Sequence, residues 1–179
     1  MKIIVGLGNP GAQYDKTRHN VGFKILDSVL GEVNWHLEKK FNAYVFEKNG
    51  DLFVKPLTFM NRSGEAIAAI LNYYHLLPKK MGLFQKKDVD LTDVLTVVHD
   101  DLDIDFGKFK IALNSSSAGH NGVQSIINYL KTKNFKRIRV GIKTELKEKM
   151  PTDKFVLGHF SAAELKSIEE LLPGISAQI

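Results

Sequence analysis

Asn49-Gly50 stands between two runs suited to extended chain, Ala43-Tyr44-Val45-Phe46-Glu47-Lys48 and Asp51-Leu52-Phe53-Val54-Lys55. Asn-Gly tolerates positive φ at both positions, so it favours the type I′ turn whose twist matches the flanking strands. An antiparallel hairpin is therefore expected early in the fold, and it constrains how the residues before it can be read. The chain begins with an apolar strand, Lys2-Ile3-Ile4-Val5, that runs into Gly6-x-Gly8-x-x-Gly11. A strand followed by G-x-G-x-x-G is how a dinucleotide-binding turn begins, but that reading needs a helix opening within the glycines and then a parallel crossover strand. Here Ala12 to Lys16 is polar without an apolar period, the clear helix starts only at Asn20, and the hairpin follows it. The glycines read instead as permissive turn residues in a loop that presents Asn9 and His19.

The remaining pattern alternates strands with helices. Asn20 is expected to cap a helix carrying Val21, Phe23, Ile25, Leu26, Val29 and Leu30, which ends at Gly31. Asn61 is expected to cap a second helix with Ala66, Ile67, Ile70, Leu71 and Tyr74, which ends before Pro78. Pro78 to Asp93 shows no period and reads as an irregular surface excursion. Val94 to Val98 is a continuous apolar run, as in a buried strand, whereas Lys108 to Leu113 and Arg137 to Ile142 alternate. A helix is expected from about Asn121 to Lys131, and another capped by Ser161 and stopped by Pro173-Gly174. The expected architecture is α/β: a single three-layer α/β/α domain over residues 1–179, its mixed, mostly parallel twisted sheet including an antiparallel hairpin.

Composition narrows the function classes. The chain has no cysteine, which removes disulfide frameworks and thiolate nucleophiles and fits a reducing cytoplasm. The first apolar run ends at Leu7, too short for a signal h-region or a membrane span. A net charge of +5 is compatible with an anionic partner and equally with a lysine-rich solvated surface.

Polar residues collect at strand ends, where folds of this class place active sites: Asn9 and His19; Asn61; His99-Asp100-Asp101-x-Asp103; and His120-Asn121-Gly122. Each has a structural alternative. Asn61 and Asn121 can be helix caps, His120 can pack under its helix, and the aspartates can be a solvated turn. Together they supply a base, a carboxylate to orient it, and amides able to hold a carbonyl or a water. A metal site made of His99, Asp100, Asp101 and Asp103 is the competing chemistry, but adjacent carboxylates on a strand point apart. A non-catalytic RNA-binding module has only the basic balance in its favour.

Several of these blocks, taken in order, resemble the bacterial peptidyl-tRNA hydrolases: Gly6-Leu7-Gly8-Asn9-Pro10-Gly11, Tyr14, Thr17-Arg18-His19-Asn20, Pro56-x-x-Phe59-Met60-Asn61-x-Ser63-Gly64, His99-Asp100-Asp101-Leu102-Asp103, Gly119-His120-Asn121-Gly122 and Arg137 to Ile142. The resemblance implies hydrolysis of the ester between a peptide and the terminal ribose of tRNA, which recycles tRNA for translation and needs no metal or organic cofactor. It implies His19 as the general base and Asp100 as the carboxylate that orients it. Asn9 and Asn61 are implied to hold the substrate, with His120 and Asn121 facing the peptide and the terminal adenosine. Tyr14, Phe59 and Met60 would shape the walls, although core packing is the default for Phe59 and Met60. Peptidyl-tRNA is the implied partner of a cytoplasmic monomer with no membrane or obligatory protein partner.

The sequence departs from the family pattern in places. Arg139 matches a position associated with the terminal phosphate of tRNA, but the lysine often found near it is Ala112 here. Alternation puts Lys110 on the face that Ala112 shares, making Lys110 the preferred substitute. The Pro78 to Asp93 segment looks longer than usual, the Asn114 to Gly119 loop is serine-rich rather than glycine-rich, and the chain stops at Ile179, where relatives commonly continue through more helix.

Overall fold

The computed structural model describes residues 1–80, 84–85 and 87–179. Its main sheet contains β1 (Ile3–Gly6), β2 (His36–Glu38), β3 (Ala43–Lys48), β4 (Asp51–Pro56), β7 (Leu95–Asp105), β8 (Phe109–Ala112) and β9 (Lys136–Lys143). The short strands β5 (Lys79–Lys80) and β6 (Phe84–Gln85) pair only with each other. The helices are α1 (Val21–Leu30), α2 (Ser63–Tyr73), α3 (Asn121–Leu130), α4 (Thr152–Val156) and α5 (Ala162–Ser176).

The seven strands run in the order β2-β3-β4-β1-β7-β9-β8. A parallel centre, β4-β1-β7-β9, is flanked by antiparallel β2 and β3 on one side and by β8 on the other. Successive side chains of a strand point to opposite faces, and here both faces are covered. Ile3, Val5, Leu95 and Val97 pack with Ile67, Ile70, Val123 and Ile126 of α2 and α3. Ile4, Val98, Ile138 and Val140 pack with Ile25 and Leu26 of α1 and Ile168 and Ile175 of α5. The three-layer mixed sheet read from the sequence is the observed fold. Asn49 and Gly50 have φ of 55° and 79°, as the type I′ hairpin requires.

Three local expectations need correction. Asn20 and Asn61 do not cap: each lies in a 3-10 turn that precedes its helix, and neither side chain caps. Pro173 does not stop α5, because the apolar spacing continues beyond it to Ile175, which is buried under the sheet. The stretch 78–93 is only partly a surface excursion. Residues 81–83 and 86 lie outside the described residues, but Val89 and Leu91 are buried in the core beneath α2 and α3. Backbone bonds from Asp88 N to Lys131 O and Leu91 N to Asn134 O stitch this arm to the α3–β9 connection. Of the two readings open for the aspartates, strand or solvated turn, the strand holds: His99, Asp100 and Asp101 belong to β7 itself.

The glycine motif serves close packing more than turn geometry. A Cβ on Gly6 would lie 2.4 Å from the Gly22 carbonyl oxygen of α1, and one on Gly8 would lie 2.8 Å from the Phe23 ring. Among the three motif glycines only Gly11 has a positive φ, of 109°. The motif therefore lets α1 lie directly on β1, and no helix opens inside it.

Candidate active site

Three consecutive side chains of the 3-10 turn Arg18–Asn20 each grip a different part of the protein. Asn20 reaches back to the loop after β1: its Oδ1 accepts from Asn9 N–H at 2.9 Å and its Nδ2 donates to Asn9 O at 2.9 Å. Arg18 reaches forward to the start of α5, where it donates to Glu164 Oε1 and Oε2 at 2.9 and 3.1 Å. His19, between them, meets Asp100 of β7, with Nδ1 and Oδ1 2.8 Å apart.

Asp100 is the hub. It is buried, and its Oδ1 also lies 3.0 Å from His120 Nε2. The His120 tautomer follows from its other nitrogen. His120 is the N-cap of α3, and its Nδ1 accepts from Gly122 N–H and Val123 N–H at 3.1 and 3.3 Å. Nδ1 therefore holds a lone pair, and the proton on Nε2 is donated to Asp100. His19 in turn donates Nδ1–H to the carboxylate, which leaves its Nε2 lone pair free of any hydrogen bond among the described residues. His99, 1% exposed, donates Nδ1–H to the main-chain oxygen of Asp100 at 2.7 Å and sets its ring edge against His120, with centroids 4.7 Å apart.

The electrostatics follow from this packing. Burial alone would push Asp100 up, but the His19 and His120 rings and their N–H groups hold it well below the usual carboxylate range. Burial alone would push His19 down, yet the Asp100 charge and hydrogen bond outweigh it and leave the imidazole above its ordinary value. His99 is driven well below its ordinary value by burial and by His120, so it is neutral.

The amide of Asn9 is also fixed. Its Oδ1 accepts from Met60 N–H at 2.8 Å, which leaves Nδ2 with no hydrogen bond to the described residues. A cavity of about 550 Å3 is lined by His19, Asp100, Leu102, His120, Asn121 and Val156. A larger one of about 630 Å3 is lined by Asn9, Asn20, Phe23, Lys24, Asp27 and Lys55 but holds neither His19 nor Asp100. The catalytic candidates select the smaller one.

The other candidates divide. Tyr14 and Phe59 form an edge-to-face pair with centroids 6.5 Å apart, and Phe59 is 56% exposed rather than in the core, whereas Met60 is buried there. Asn121 is exposed at the cavity rim, and His120, expected to face the peptide, instead spends both ring nitrogens on α3 and Asp100. Asn61 is exposed and lines neither cavity. Arg139 donates Nε–H to Asp101 Oδ2 at 2.7 Å, and its register partner across β8 and β9 is Lys110. The preferred lysine thus stands beside the expected arginine.

Sequence alone assigns no site role to Arg18 or Arg137, and it offers Asn20 only as a helix cap and His99 only as a possible metal ligand. Arg137 is 1% exposed, donates to Ser116 O at 2.7 Å, and falls to about 10 through burial and the neighbouring Arg139. Its only trace in the sequence is Ala112, the small residue opposite it in the β8–β9 register.

A metal reading finds little support in the donors. His99 is turned to a backbone oxygen, while Asp101 is taken up by Arg139 and by Asp103 N–H. Among the described residues, His19, Asp100 and His120 do offer ligand atoms within 4.8 Å of one another. Both rings, however, point N–H groups at the carboxylate, and reversing His120 would set an N–H against the backbone donors of α3.

In this three-layer α/β protein a buried carboxylate anchors an imidazole whose free nitrogen can activate water, the chemistry a hydrolase needs. The family model described as peptidyl-tRNA hydrolase matches residues 3–179, and the chain belongs to that family of hydrolases. It is 42% identical over 177 residues to the peptidyl-tRNA hydrolase of Metamycoplasma arthritidis, covering 98% of this chain and 88% of that one. It is 44% identical over 174 residues to that of Listeria welshimeri, covering 94% and 85%. The crystal structure of peptidyl-tRNA hydrolase from Acinetobacter baumannii superposes with a TM-score of 0.81 at 26% identity, covering 99% of this chain and 86% of that one.

Proposed function

We propose that this chain hydrolyses the ester joining a peptide, or an N-blocked aminoacyl group, to the terminal ribose of tRNA, with His19 as the general base. The observation that carries this reading is the pairing of His19 Nδ1 with Asp100 at 2.8 Å, which leaves Nε2 as a free base. Nε2 takes a proton from water as the water oxygen attacks the ester carbonyl. Asp100 stabilises the imidazolium that forms, as the acid of a serine triad does, without itself becoming protonated. The oxyanion of the tetrahedral intermediate receives an N–H of Asn9, whose amide oxygen is held by Met60 N–H and whose Nδ2 is left without a hydrogen bond among the described residues. Collapse returns the proton from His19 to the departing ribose oxygen, giving a peptide carboxylate and a free tRNA 3′ hydroxyl.

Binding is divided among the remaining candidates. Tyr14, Phe59, Asn61 and Asn121 contact the peptide and the terminal nucleoside. His120 acts by holding Asp100 and the start of α3. Lys110 and Arg139 meet phosphate, which supplies affinity and salt dependence rather than sequence readout. The enzyme works on peptidyl-tRNA as a monomer in the cytoplasm, and no helix among the described residues is long and apolar enough to cross a membrane.

Metal-stripped protein incubated with N-acetyl-aminoacyl-tRNA should release free tRNA; intact substrate after prolonged incubation would overturn the proposal. The pH profile tests the mechanism separately. A base must be unprotonated, so kcat/KM should rise with pH through the raised value of His19, above the ordinary 6.5 or so. In Asp100→Asn the attraction is gone and only burial remains, so the acid limb should move to lower pH while the plateau falls. A limb that stays in place would remove Asp100 from the role. For tRNA contact, Lys110→Ala should weaken binding and reduce the slope of log affinity against log salt by roughly one. An unchanged slope would discard Lys110.

A further inference from the structure

We infer that Arg18 is a positioning residue for His19, and that through it the first turn of α5 becomes part of the catalytic apparatus. This rests on the reading of His19 as the base.

Arg18 stands directly before His19 in the same 3-10 turn and points the opposite way, into a closed site built by the far end of the chain. Its side chain is only 6% exposed. Nη1 donates to His159 O at 2.9 Å, and Nη2 is shared between the two Glu164 oxygens. The guanidinium lies against two rings, 4.8 Å from the Phe155 centroid and 5.5 Å from that of Phe160. The backbone repeats the tie: Arg18 N donates to Gly158 O, and Phe160 N to Lys16 O, both at 3.0 Å. His19 is therefore held between Asp100 on one side and the α4–α5 junction on the other.

Glu164 is itself fixed by more than Arg18. It forms a capping box with Ser161, accepting from Ser161 N–H at 2.7 Å and donating its own N–H to Ser161 Oγ at 3.2 Å. Burial alone would raise this carboxyl, but the Ser161 N–H and the Arg18 fork hold it below its ordinary value. The cap thus presents a rigid carboxylate to a planar fork, a geometry that lysine cannot reproduce. Arg18 Nε has no partner among the described residues.

A general base displaced by about an ångström loses roughly tenfold to a hundredfold in rate, while substrate contacts made elsewhere are unaffected. Arg18→Lys and Glu164→Gln should each lower kcat by roughly that factor with KM held within about twofold. The second readout needs no substrate. The His19 Nδ1 proton, hydrogen-bonded to Asp100, gives a downfield resonance that should shift or broaden in both variants. Circular dichroism and melting verify that the variants are folded. If Arg18→Lys does not fold, Glu164→Gln, whose side chain is partly exposed on the helix surface, decides the matter. A folded Glu164→Gln with parental kcat, with a change in KM alone, or with an unmoved His19 resonance would overturn the inference. Failure of the parent protein to release tRNA would overturn the function instead and leave the resonance test standing.

Discussion

Replacing His19 with alanine is expected to lower kcat/KM for tRNA release by roughly a hundredfold to ten-thousandfold, the usual contribution of a positioned base. Affinity for tRNA, measured with the deacylated product, should change little, because the residues proposed to meet phosphate, Lys110 and Arg139, lie on β8 and β9 rather than on this turn. The variant also removes one of the two imidazoles that hold Asp100 below the usual carboxylate range. A carboxyl depressed in the folded state adds stability above its unfolded value of about 3.9, which is lost as pH falls through the folded value. His19 is itself raised by Asp100, so the loss of stability should grow as pH falls from neutral through the His19 value and close only where Asp100 becomes protonated. Hydrolysis within a few-fold of the parent would show that another group takes the proton from water. Binding that persists without hydrolysis in the parent protein would identify a non-catalytic RNA-binding module.

Gly22→Ala should be strongly destabilising. A Cβ there would lie 2.4 Å from Leu7 N, 2.5 Å from Val98 O and 2.6 Å from Leu7 O. All three are backbone atoms of the strand region beneath α1 and cannot rotate away. Relief requires α1 to lift from the sheet, opening the contact between Ile25, Leu26 and the strands. Overpacking of this kind costs about 3 kcal/mol. Denaturant unfolding should show a lower midpoint with little change in slope. Because Gly22 follows His19 by only three residues, activity of the folded fraction should fall as well. A parental midpoint would mean that the helix has room the distances do not allow.

The order of elements was legible because hydrophobic periods and turn chemistry act locally. The Asn49-Gly50 hairpin and the apolar runs of β1 and β7 depend on nothing distant. What stayed hidden depends on which remote segment each side chain meets. Asn20 looks like a cap, but Asn9 lies within its reach, and two hydrogen bonds to that backbone win over one to a helix end. His120 was readable as a site residue, yet its identity as the α3 cap requires knowing that its Nδ1 faces two free N–H groups. Arg18 and Glu164 are 146 positions apart, and no local pattern joins them. Pro173 misled because the loss of one helical bond is smaller than the burial of Ile175. The aspartate block left a strand and a solvated turn both open, since polar residues seldom extend a buried strand unless partners receive them, and those partners, His19 and His120, come from distant parts of the chain.

The outer strands of the sheet are short: β2 has three residues and β8 four. A longer, flatter margin would offer rows of unpaired N–H and C=O groups to another chain, the first step toward edge-to-edge aggregation. β8 also carries the exposed Lys110 in its middle, so a second strand docking there would have to bury an ammonium group. The same lysine proposed to meet phosphate thereby guards this edge against pairing with a second copy of the chain.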